Sequence, residues 1–152
     1  MRYTAEITSF LLALVLGLAA CSRSASREEA EQWLPAAGGK WKLVEVTVNG
    51  KPVYSNGEII EQFGEVSFSR YMEEVTFLPN GNFSGSFKND TKPVTFNWTA
   101  RDSEVIISDT VPGSGSWNIP YTRLKENAFD MNTETTAFDP PNLTRVRLRF
   151  ER

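Results

Sequence analysis

The chain has 152 residues and a formal net charge of −3, from 16 basic and 19 acidic side chains, with no histidine and one cysteine. That balance leaves no basic surplus for a nucleic-acid backbone. A lone cysteine excludes an internal disulfide, so burial itself must hold the fold.

The first element is an apolar run, residues 10–20, "FLLALVLGLAA", preceded by Arg2. At eleven residues it is shorter than the ~20 that cross a bilayer as a helix. Its charged start and small residues before the cysteine have the layout of a secretory signal peptide over residues 1–20. Leu18-Ala19-Ala20-Cys21 resembles the lipobox of bacterial lipoproteins. That resemblance implies a thioether-linked diacylglycerol on Cys21, cleavage before it, and an acylated amine, with palmitate expected among the chains. Two or more acyl chains anchor stably, where one is marginal. Ser22 in place of Asp implies, by the same resemblance, the outer membrane, with the body on the periplasmic side or at the cell surface. Residues 21–37 are expected to be a flexible tether, because "SRSASREEAEQ" is small and charged.

Residues 38–152, about 115 in number, suffice for one ordinary domain. Aromatic residues make up 12% of the chain, and turn-forming residues interrupt it often, which favours an all-β domain. Alternation predicts eight strands, at 40–48, 71–78, 82–88, 94–101, 104–109, 116–124, 127–133 and 143–151. The first changes parity at Leu43-Val44, the mark of a β-bulge. Asn80-Gly81 supplies the positive φ angles of a tight hairpin turn. In 94–101, Val94, Phe96, Trp98 and Ala100 share one face and Thr95, Asn97, Thr99 and Arg101 the other. Consecutive strands usually pair, and eight of them close into an antiparallel up-and-down barrel without free edges. Its apolar side faces inward, the reverse of a membrane barrel.

The connections alternate in length. Those after the second, fourth and sixth strands are tight; those after the first, third, fifth and seventh are long. An up-and-down barrel gathers each set at one end. The chain enters at the tight end, so the mouth framed by long loops is expected to point away from the anchor.

Gly39-Lys40-Trp41, Asn49-Gly50, "VTFLPNGNF" and "FNW" resemble the lipocalin-like lipoproteins of Gram-negative bacteria over residues 38–152. The resemblance implies that Trp41 plugs the closed end and that an arginine of the last strand packs across it. Arg147 and Arg149 are the candidates, although their parity sets them on the outer face.

An eight-stranded barrel is either filled by its side chains or holds one small ligand. Trp41, Phe77, Phe83, Phe129 and Phe150 are expected at the closed end as packing. Phe87, Phe96, Trp117, Ile119 and Met131 are expected toward the mouth, with Trp98 and Tyr121 midway. These seven are the candidate ligand-binding residues, with Tyr71 and the loop residues Phe63 and Phe138 overhanging them. Gly85 and the Gly113–Gly115 loop are expected to leave room nearby. No acid–base pair emerges: Glu73 and Glu74 are strand neighbours and point to opposite faces, and Asp130 and Asp139 are read as surface and loop residues. No catalytic residue, metal site or cofactor is expected. The function expected is that of an envelope lipoprotein carrying a small apolar or amphipathic ligand. The alternative is an assembly module whose loops dock an envelope protein around a solid core; an enzyme with residues converging in three dimensions is the third reading.

Overall fold

A computed structural model describes residues 23–60, 71–108, 116–136 and 140–152. Cys21, the signal peptide, Phe63, Phe138, Asp139 and the Gly113–Gly115 loop lie outside the described residues. Helix α1 (Arg27–Trp33) leads through a short 3-10 turn into the strands. These are β1 (Lys40–Val48), β2 (Lys51–Ser55), β3 (Glu58–Ile59), β4 (Met72–Phe77), β5 (Asn82–Phe87) and β6 (Val94–Ala100). They continue as β7 (Glu104–Ser108), β8 (Ser116–Pro120), β9 (Leu124–Lys125), β10 (Ala128–Thr135) and β11 (Thr144–Glu151).

Strand order runs β11-β10-β8-β7-β6-β5-β4-β1, and β1 pairs β11 to close the ring: an eight-strand antiparallel up-and-down barrel. The eighth-strand pairing is extensive, from Lys42 opposite Glu151 to Val48 opposite Val146. Its register shifts between Leu43 and Glu45, where the parity change marked a bulge. A hairpin that alternation did not reveal, β2–β3, extends the sheet beside β1. It is short, and Pro52 and Gly57 interrupt its pattern. Beyond Pro120 the expected sixth strand breaks into a 3-10 turn and the two-residue β9. A second shift, between Met72 and Glu74, breaks alternation on β4 and leaves Glu73 exposed and Glu74 beside Lys40 at 3.7 Å.

The second half of the expected tether is a helix. Ser26 Oγ accepts from the Glu29 backbone N–H and the Glu29 carboxylate accepts from the Ser26 N–H, a reciprocal capping box. Ala25, Ala30 and Leu34 are buried in the core, and the Ala25 N–H donates to the Tyr121 carbonyl. Charge on the outer face hid this apolar stripe of three residues from a compositional reading. Among the described residues, no helix is long and apolar enough to cross a membrane.

The closed end is where α1 meets the barrel. Trp41, Phe77, Phe83, Phe129 and Phe150 are all within 1% of full burial. Phe77 meets Phe83 edge-on at 5.0 Å and Phe129 at 5.6 Å; Trp41 meets Phe129 at 5.0 Å. Edge-to-face rings at these separations add to what their burial contributes. Trp41 Nε1 donates to the Leu34 carbonyl, so the plug is also tied to the end of α1.

Candidate functional site

Tracing the inner face from the closed end upward locates the candidate site residues. Trp98 lies in the closed-end packing rather than midway: its ring meets Phe77 at 5.7 Å and its Nε1 donates to the Leu78 carbonyl in the β4–β5 turn. Tyr121 is there too, its hydroxyl donating to the Arg101 carbonyl in the β6–β7 turn and its backbone N–H to Ser103. Burial holds the Tyr121 phenol above the ordinary tyrosine pKa. Their positions follow from the break at Pro120, which ends β8 before Tyr121 and folds the chain under α1. Ile119 and Met131 are fully buried in the middle of the barrel.

Phe87, Phe96 and Trp117 are different. Each pairs across the sheet with an inward residue: Phe87 with Met72, Phe96 with Phe83, Trp117 with Ile107. Each packs on the core, yet each is only half-buried. The Phe96 ring rests on Phe83 at 6.0 Å. Thr144, where β11 begins, is 1% exposed, and its Oγ1 has no hydrogen-bond partner among the described residues. By alternation it shares the inner face with Val146, Leu148 and Phe150. The inner face of the closed end is therefore sealed; in the opposite half Val48, Met72 and Thr144 are buried as well, and the partly covered apolar side chains are Phe87, Phe96 and Trp117.

Gly85 does not leave room. A Cβ there would lie 2.8 Å from Met72 Sδ, so the glycine accommodates the methionine. The arginine across Trp41 is also a correction. Arg147 and Arg149 stay on the outer face, as their parity requires; Arg147 Nη2 donates to Glu45 at 2.9 Å, and Arg149 pairs with Glu151 at 3.1 Å. Both approach Asp130 at 3.9 Å, and Asp130 is buried beneath them rather than free at the surface. The stacked cation is Arg152, one residue beyond β11, with its guanidinium carbon 3.8 Å from the Trp41 ring centre. The sequence signal was present only in position: the residue after β11 is adjacent to the closed end once that strand runs back to it.

A concavity of about 760 Å³ lies on the barrel wall where β8, β10, β11 and β1 run side by side. Its lining includes Thr47, Asn118, Asn132 and Arg147, which form one cross-strand row on the outer face. Arg145 and Glu134, an ion pair at 2.9 Å, border it. Sequence reasoning missed this groove because it searched the inner face for a site. Among the described residues, no group of three or more acidic, cysteine or histidine side chains is placed to hold a metal ion.

No family model and no curated protein matches the chain. Among solved structures, a bovine odorant-binding protein (a deswapped triple mutant) is similar, with 18% identity over 75% of this chain and 72% of that one, and a TM-score of 0.41. The barrel is established by its own strand pairings, from β1 through to the β11–β1 closure.

Proposed function

We propose that this chain is a lipid-anchored envelope lipoprotein whose lipocalin-like barrel binds a small apolar or amphipathic molecule in its upper half and performs no catalysis. The observation that carries the binding reading is the contrast within one inner face. Phe77, Phe129 and Phe150 are sealed, whereas Phe87, Phe96 and Trp117 remain half-buried on a surface that alternation aims inward. Apolar surface left partly in water gains from a ligand that covers it. The anchor rests on Cys21 and the lipobox-like residues before it. Because α1 and the chain entry lie at the closed end, an anchored barrel presents its upper half away from the bilayer.

Two measurements test this. Protein extracted from membranes in mild detergent is expected to carry a reproducible small-molecule adduct in native mass spectrometry. Titrated with N-phenyl-1-naphthylamine, it is expected to enhance the probe's fluorescence, with Trp117→Ala weakening binding about tenfold, the loss of one large apolar contact. No adduct together with no probe binding overturns the reading, and a co-purifying envelope protein in that case supports the docking alternative. For the anchor, Cys21→Ser is expected to move the protein from the membrane to the soluble fraction; persistent membrane association defeats it.

A further inference from the structure

The barrel wall is weakly joined at one place. β8 pairs β7 along all five of its residues, from Ser116 opposite Ser108 to Pro120 opposite Glu104. On its other side, among the described residues, it pairs β10 only at Asn118 opposite Asn132. Antiparallel register then sets Ser116 against Glu134, but the Ser116 carbonyl is taken by Thr133 Oγ1 at 2.9 Å. A side chain stands there in place of a ladder bond. Pro120 removes a donor on the other side of the bridge.

The groove on the outer wall overlies this seam. It is lined by outward residues of both strands, Asn118 and Asn132, and also by Thr133 and Val146, which have inward parity. Val146 pairs Thr133 across β10 and β11, one step from Trp117 on the inner face. The groove thus reaches, from the polar outer surface, two inward-parity residues that neighbour Trp117 in the wall. Arg147 reaches over its floor. Nη2 donates to Glu45, while Nε is shut off from solvent with no partner among the described residues. A rotation of the side chain turns that donor toward an acceptor in the groove, exchanging the Nη2 bond to Glu45 and the 3.9 Å approach of Nη1 to Asp130 for bonds to the ligand.

We propose that the ligand enters and rests across the β8–β10 seam, its apolar part against Trp117 inside and an acceptor-rich anionic head in the outer groove on Arg147 and Asn132. This rests on the binding reading above and names the ligand class and its route. The head is the distinguishing feature, because a purely apolar molecule gains nothing from the groove.

A matched pair of probes tests it. 8-Anilino-1-naphthalenesulfonate is N-phenyl-1-naphthylamine with a sulfonate added. The full-length Cys21→Ser chain is expected to bind the sulfonate about tenfold more tightly, the contribution of one charge-assisted hydrogen bond. Arg147→Gln removes that advantage and leaves N-phenyl-1-naphthylamine binding unchanged. In the same background, Ser116→Cys with Glu134→Cys closes the seam on oxidation, since a disulfide holds Cα atoms about 4.4–6.8 Å apart. Oxidation is expected to slow association of both probes at least tenfold, and reduction to restore it. Equal affinity for the two probes overturns the head site. Unchanged association after oxidation, with the cross-link verified by mass, overturns the route and leaves the interior site standing. Failure of the Cys21→Ser chain to bind either probe overturns both this inference and the binding reading.

Discussion

Arg152 sits over the Trp41 ring, with its guanidinium carbon 3.8 Å from the ring centre, and its two terminal nitrogens donate to the carbonyls of Trp33 and Ala36. Arg152 thereby clamps α1 onto the plug of the barrel. Burial lowers the Arg152 pKa, but it remains a cation across the accessible pH range. Arg152→Ala is expected to lower stability by about 1–3 kcal/mol, combining the cation–π contact with hydrogen bonds from a charged group. Urea unfolding followed by tryptophan fluorescence measures it. A change below about 0.3 kcal/mol would show that the clamp contributes nothing.

Gly39 explains the first residue of the Gly-x-Trp pattern. It has φ +69°, and a Cβ would lie 1.9 Å from the Phe77 carbonyl oxygen. Gly38, with φ +81°, has nothing within 4 Å. Gly38→Ala is expected to cost about 1 kcal/mol from backbone strain alone. Gly39→Ala must also displace β4 from the Trp41 side of the barrel and is expected to cost more than about 3 kcal/mol or to prevent folding. Equal melting temperatures for the two variants would contradict the close approach.

The capping box predicts a measurable role for the segment before the barrel. Ser26→Ala is expected to cost about 1 kcal/mol, and to expose residues 27–33 to limited proteolysis. Ala30→Glu places a charge where burial is complete and is expected to release the helix from the closed end. Unaltered protease resistance in both variants would mean that α1 is not docked.

Tyr121 predicts an alkaline limit. Its phenol is raised above the ordinary value of 10.0 chiefly by burial. The folded state therefore holds its proton longer than the unfolded chain. That stabilisation is fully present below the unfolded pKa of about 10, and stability falls as pH rises through the higher folded value. Tyr54, raised by burial and by its neighbour Tyr71, acts in the same direction. Melting temperatures at pH 8 to 11 are expected to decline above pH 10, and Tyr121→Phe to decline less steeply. A slope indifferent to the substitution would remove Tyr121 from the cause.

Alternation carried most of the fold because a side-chain period of two is a local property. β1 was legible to the residue, and its bulge was visible at Leu43-Val44, because each parity change moves an apolar side chain across the wall. The closed-end aromatics were legible for the same reason once loop lengths had sorted the two ends. The candidate site was less so. Phe87, Phe96 and Trp117 lie as their parity set them, but Trp98 and Tyr121 belong to the closed end, because the tilt of the strands and the break at Pro120 decide height along the axis.

The amino-acid order alone determined that this chain makes a strand-rich domain with an apolar interior, with tight turns at one end and a lone cysteine after an apolar run. Those are short-range features, set by neighbours one or two residues apart. Only the tertiary structure decided that Arg152 rather than Arg147 covers Trp41, that α1 seals the closed end, that Met72 fills the space beside Gly85, and that β8 and β10 barely join. Each depends on which side chains from distant strands meet, and closing the ring creates those meetings.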